Sequence, residues 1–267
     1  MPFGAVETES EPISLSALEF DVLWEHLKPG TMPLVVKVPS PGRTYEERAE
    51  IERRVWEDLE RRGLGRPVDV DPEIERLFAI LARPLREVDG RAWAGRPLRA
   101  LACATEGEAV LAVLSGDQLT LRRASTESLP ATAVGVLPAW QPGPGQSVTL
   151  RSADFEAASS AEGARKGFEA ALLARGVRPD DATALTSMIG DVQGTGNFGA
   201  AARDRLGRRV RGDRVVSFFD TAEGRYVQVR KAAPDGTLWT TISPADQRRL
   251  VHHVEEVLAE VLRETDD

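Results

Sequence analysis

Apolar side chains follow two rhythms along this chain, and each rhythm predicts a kind of element. Within residues 44–62, Ile51, Val55, Trp56 and Leu59 recur at helical spacing, the signature of one buried helix face. Thr44 before them and Glu47 three residues on form a capping box, and Gly63 suits the left-handed position past the last turn. Asp71-Pro72 places a cap and a first-turn proline before the stripe Ile74, Leu77, Phe78 and Leu81. Phe168, Leu172 and Leu173 predict a third helix. Arg178-Pro179-Asp180 opens a fourth, with Leu185, Met188, Ile189 and Val192 as its stripe. A long closing helix is expected over 244–262 from Leu250, Val254, Val257, Leu258 and Val261. Short β-rich runs separated by turn residues predict strands at 98–104, 109–114 and 119–122, and again at 215–219, 225–230 and 237–242. A weaker helical pattern covers 126–137.

These landmarks occur twice, in one order. Ile13-Ser14-Leu15-Ser16 before Glu19-Phe20 returns as Val148-Thr149-Leu150-Arg151 before Asp154-Phe155. Arg62-Gly63-Leu64 returns as Arg175-Gly176-Val177, and the turn at Glu106-Gly107 as Glu223-Gly224. Residues 13–137 and 147–264 therefore read as related halves of a single domain over 1–267. The Pro- and Gly-rich segment 138–146 is the linker, and residues 1–11 are a flexible tail. Neither half repeats strand–helix–strand, so the expected class is α+β: antiparallel strands from both halves form a platform with helices at its ends.

Composition narrows the function classes. With 267 residues, 42% apolar and 28% charged, the chain can bury a core and is not a disordered sequence. A net charge of −8 argues against non-specific nucleic-acid binding. One cysteine excludes an intrachain disulfide framework. Glu7, Glu9 and Glu11 stand where a signal peptide needs basic residues, and apolar runs such as 131–140 are too short to cross a bilayer. The expectation is a cytoplasmic protein without membrane insertion. Exposed strand edges leave a homodimer open.

The candidate chemistry is sparse. Gly194-Thr195-Gly196-Asn197-Phe198-Gly199 fits G-x-G-x-x-G, and Asp220 follows 21 positions on. A dinucleotide site needs that pattern between a strand and a helix; here a helix is expected before it. The simpler reading is a helix-to-strand loop, and a nucleotide-dependent enzyme using Gly194, Gly196 and Gly199 stays as the alternative. His252 and His253 are neighbours on one helix and point about 100° apart, which is wrong for a shared metal. Cys103 reads as a small packing residue. Arg203, Arg205, Arg208, Arg209, Arg211 and Arg214 crowd one segment, to be read as a solvated loop or a contact for an acidic partner, since no aromatic residue there could stack on a base. No catalytic residue, metal or cofactor is expected, which favours a binding protein over an enzyme.

The chain resembles the EspG family, chaperones of type VII (ESX) secretion in actinobacteria. The resemblance lies in Gly196-Asn197-Phe198-Gly199-Ala200-Ala201-Ala202-Arg203-Asp204, Gly207-Arg208-Arg209, Val215-Val216-Ser217-Phe218-Phe219-Asp220-Thr221, Gly224-Arg225-Tyr226 and Trp239-Thr240-Thr241-Ile242-Ser243-Pro244-Ala245-Asp246. The first half agrees through Glu47-Arg48, Leu59-Glu60-Arg61-Arg62-Gly63-Leu64 and the hairpin over 99–114. The resemblance implies a central antiparallel sheet flanked by N- and C-terminal helical bundles, built from two pseudo-symmetric repeats. It implies binding a PE–PPE-type heterodimer at the tip of the PPE subunit, keeping it soluble for export. It places Cys103, Thr105, Glu106, Gly107, Glu108 and Ala109 against that partner, joined by residues 165–192 and the last helix.

Overall fold

The computed structural model describes residues 11–266; the tail expected over 1–11 lies, apart from Glu11, outside the described residues. β1 (Ile13–Ser16) passes directly into α1 (Ala17–Leu27), where Ser16 and Glu19 form a reciprocal capping box. The box expected at Thr44 and Glu47 opens α2 (Tyr45–Arg61), and Gly63 beyond its end has φ +71°. A minimal hairpin, β2 (Gly65–Arg66) and β3 (Asp69–Val70), leads to α3 (Pro72–Ala82), capped by Asp71. The first meander then runs through β4 (Arg86–Ala94), β5 (Pro97–Ala104), β6 (Ala109–Ser115) and β7 (Gln118–Ala124). The weak pattern over 126–137 yields only the short helix α4 (Leu129–Val134).

The second half opens with β8 (Val148–Arg151), α5 (Ser152–Ser159), α6 (Ala164–Ala174) and α7 (Pro179–Met188). It continues through β9 (Val192–Arg203), β10 (Arg209–Arg211), β11 (Val216–Thr221), β12 (Gly224–Ala232) and β13 (Leu238–Pro244), and closes with α8 (Gln247–Asp266). The described residues thus hold one large sheet, one two-stranded hairpin and eight helices. No described helix is long and apolar enough to cross a membrane.

The large sheet has the order β1-β7-β6-β5-β4-β9-β11-β12-β13-β8, every neighbouring pair antiparallel, with β10 paired to the far end of β9. The chain is therefore α+β, as expected. Two strands that the apolar pattern does not announce, β4 and β9, form its centre, in register from Arg86 opposite Ala202 to Ala94 opposite Gly194. The stripe that ran from Leu185 to Val192 is cut at Met188; Val192 is the first residue of β9 and is exposed.

Side-chain alternation gives the sheet two different faces. On one, Val88, Phe198, Phe218 and Val227 pack against Leu250, Val254, Val257 and Val261 of α8 and against α4. On the other, helices α1–α3 cover Leu101, Cys103, Val110 and Leu121, while α5–α7 cover Val148, Leu150, Tyr226 and Ile242. The register places those two helix groups on the same face, with β4 and β9 between them. Arg91, Trp93, Thr195 and Asn197 project from that middle strip and are exposed.

Segment 138–146 is bonded along its length to the start of β12. Arg225 N–H donates to the Gln141 carbonyl (2.8 Å), Gly143 N–H donates to the Arg225 carbonyl (3.1 Å), and the Tyr226 hydroxyl donates to the Pro144 carbonyl (3.1 Å). What composition marks as a linker is thus seated on the sheet, because each bond satisfies a backbone or hydroxyl group that would otherwise be buried unpaired.

Candidate partner-binding surface

On β4 the strip between the helix groups carries three charged residues in alternation, Glu87, Asp89 and Arg91. Glu87 and Asp89 of β4 are only 7% and 9% exposed, and each is met by an arginine reaching across β9 from β10. Arg209 Nε donates to Glu87 at 2.9 Å, and Arg211 forks onto both oxygens of Asp89, the second bond at 3.2 Å. The bidentate fork raises the Arg211 pKa above its ordinary value. Beside this ladder a cleft of about 480 Å³ opens against Met32, Leu34, Leu81 and Ala82.

The ladder explains the glycine pattern. Gly194, Gly196 and Gly199 lie inside β9, none with positive φ. A Cβ on Gly199 would collide with the Arg211 guanidinium; one on Gly196 would sit 2.6 Å from the Arg91 carbonyl and 2.7 Å from the Phe218 ring. The glycines clear space for a guanidinium above the sheet and an aromatic ring below it. The expected helix-to-strand loop is therefore a strand. The nucleotide alternative fails on the same geometry, because β9 leads into a turn and β10 and offers no helix N-terminus to a pyrophosphate.

The arginine-rich segment is likewise absorbed into structure. Arg208 pairs with Asp204 and Arg214 with Glu260, while Arg203 donates to the carbonyls of Pro84 (3.0 Å) and Gly207 (2.7 Å). Arg205 donates to the Asp266 carbonyl. The solvated loop expected here is a strand with a tight turn, and most of its charge is matched within the chain.

The 105–108 turn closes β5 and β6 at one end of the strip. Thr105 N–H donates to the Glu108 carbonyl at 2.8 Å. Glu106 and Gly107 are exposed, and Glu106 forms no ion pair among the described residues; Thr105 and Glu108 are half-buried. Cys103 and Ala109 are buried on opposite faces of the sheet, the first in the α1–α3 core and the second in the α8 core. Burial pushes the Cys103 thiol well up in pKa. Only residues 105–108 of this group present surface. At the far end of the strip, Trp93 (51% exposed) and Val192 (52%) leave apolar surface open.

Glu108 joins a charge network that fixes the turn to α3: Arg76 Nε lies 3.2 Å from it, and Arg123 grips Glu73 with Nε at 2.7 Å. Arg123 holds the Glu73 carboxyl below its ordinary value of 4.5. A depressed carboxyl adds stability that is fully present above the unfolded value and is lost as pH falls through the folded one. Glu73→Gln should therefore flatten the decline of the urea midpoint below about pH 4.5. An unchanged slope would show that this pair carries none of the acid response.

His253 Nδ1 lies 3.0 Å from Glu256, and the ring of His26 lies 2.9 Å from the Pro67 carbonyl. Among the described residues no three His, Cys, Asp or Glu side chains converge as a metal set would.

The sequence matches the EspG family over residues 16–256. Among solved structures, the fold resembles the Mycobacterium tuberculosis type VII secretion system chaperone EspG5, determined in complex with a PE25–PPE41 dimer. The TM-score is 0.71 over 94% of this chain and 96% of that one, at 15% identity, a likeness of fold. Comparison with curated proteins gives no match. With the family pattern running through both meanders and the central strands of the sheet, the chain belongs to the EspG family.

Proposed function

We propose that this protein is a cytoplasmic, non-enzymatic chaperone of type VII secretion that binds a PE–PPE-type heterodimer at the PPE tip and keeps it soluble for export. The observation that carries this reading is the family match over residues 16–256, joined to the fold of a chaperone captured on a PE–PPE dimer. The docking surface of this reading is the strip of β4 and β9 between the two helix groups, with the 105–108 turn at one end and Trp93 at the other. A surface with an apolar end at Trp93 and Val192 and a polar floor suits a helical tip: the apolar end removes partner surface from water, and the polar floor sets orientation. Ala109 and α8 back the sheet from its other face. Cys103 lies under α1–α3 beside the strip, and α6 and α7 belong to one of the helix groups that flank it.

The same reading treats residues 13–137 and 147–264 as duplicated halves flanked by N- and C-terminal helical bundles. Its support is the strand order, which runs outward from β4 and β9 through β5 and β11, β6 and β12, β7 and β13, to β1 and β8.

Co-expression with PE–PPE pairs of the same organism, followed by gel filtration, tests the function. The expected result is one stable complex with one copy of each chain, and no binding of NAD or NADP. If every pair elutes apart from this protein, the chaperone reading is wrong.

A further inference from the structure

Arg91 and Arg99 stand directly opposite each other in the β4–β5 register, on the face that carries the strip. Like charges in directly opposed positions destabilise a sheet, so a fold that needs neither would not be expected to keep both there. Neither forms an ion pair among the described residues. Arg99 donates to the Lys37 carbonyl at 3.1 Å, and Arg91 reaches the Leu34 carbonyl only at 3.5 Å, the outer limit of a hydrogen bond. Arg91 is exposed, with Trp93 two residues along on the same face.

The neighbouring ladder decides the sign of this surface. Glu87 and Asp89 are the carboxylates nearest along β4 on that face, and Arg209 and Arg211 already occupy them. A floor that would otherwise be mixed is left with uncompensated positive charge at Arg91 and Arg99, in a chain whose net charge is −8. Arg91 lines the cleft, and uncompensated positive charge there favours an anionic group on whatever enters it.

We infer that the Arg91–Arg99 pair receives a carboxylate side chain from the tip of the bound heterodimer, with Trp93 packing on the apolar surface beside it. This rests on the chaperone reading and adds the chemistry of the tip: an acidic group flanked by apolar ones. Arg209 and Arg211 act as positioning residues, which keep Glu87 and Asp89 from repelling that group.

Two measurements on the full-length protein test this. Titration calorimetry uses the heterodimer that co-elutes with the unaltered chain. Arg91→Glu should weaken binding at least about tenfold, and Arg91→Gln less, with the unaltered affinity falling as NaCl rises. Without partner, Arg91→Gln should raise Tm by about 1–3 °C, because it relieves the repulsion with Arg99. If the unaltered protein binds the heterodimer and Arg91→Glu binds it equally well or better, the inference is overturned and the chaperone reading stands. A lower Tm for Arg91→Gln would also overturn it, by giving Arg91 a structural role. If the unaltered protein binds no heterodimer, both fall.

Discussion

Arg225→Ala should lower the stability of this protein by about 3–5 kcal/mol, because it strands a buried carboxylate. Arg225 is fully buried and Asp220 is 4% exposed. They form a two-point contact, Nε to one Asp220 oxygen at 2.7 Å and Nη2 to the other at 2.9 Å. Nη2 also donates to the Pro138 carbonyl at 3.2 Å, and the guanidinium lies 5.0 Å from the centre of the Phe218 ring. Removing the cation leaves Asp220 without its partner, opens a cavity beside Phe218 and releases the start of segment 138–146. In urea the midpoint should fall by about 1–2 M, and the change should register in the fluorescence of Trp140, whose indole N–H donates to the Thr221 carbonyl. The paired replacement Arg225→Met with Asp220→Leu should recover much of the loss, since neither charge is then stranded. A single variant that matches the parent within about 1 kcal/mol would show that the buried pair is replaced by solvent at little cost.

Phe78→Ala should have an effect of similar size, about 3–5 kcal/mol, in a different part of the molecule. Phe78 is fully buried, with Phe20 and Trp24 around it at ring distances of 5.3 and 5.2 Å. This trio centres the core of α1–α3, which contains no residue of the α8 core. The cavity cannot be refilled from the α8 core on the other face of the sheet, so the loss should appear as greater exposure of Trp24 and earlier urea unfolding. Leu81 and Ala82 of the same helix line the cleft beside Glu87 and Asp89, so partner affinity should fall as well. Phe78→Leu keeps most of the volume and should cost under about 1.5 kcal/mol. A loss below about 1 kcal/mol for the alanine variant would mean that neighbouring side chains collapse into the space.

Much of the architecture is legible in the order of residues. The capping box at Thr44 and Glu47, the proline start at Pro72, both outer hairpins and the long final helix are readable because each is a local signal. Caps, helical stripes and two-strand turns are decided by residues within a few positions of one another. The succession of landmarks across both halves is also readable, and with it the family.

The centre of the sheet is not. In β4, Glu87, Asp89 and Arg91 alternate with Val88, Gly90 and Ala92, and that strand shows no apolar run. β9 opens with glycines that mimic a phosphate loop. Both become strands because partners far along the chain complete them. Arg209 meets Glu87 from 122 residues away, and Phe198 fills the space over Gly90. The arginine segment becomes a strand instead of a loop for the same reason, since its charges find buried carboxylates only after folding.

By itself, then, the sequence determined most of the helices, the outer strands of both meanders, the α+β class and the absence of a recognisable nucleophile or metal motif. Tertiary structure alone decided which strands meet at the centre, which arginines are matched, and that exposed Arg91 is left opposite the half-buried Arg99 without a carboxylate between them. The physical reason is one of range. Propensity and capping act within a turn or two, whereas charge matching and ring-on-glycine packing act between residues that only the folded sheet brings together.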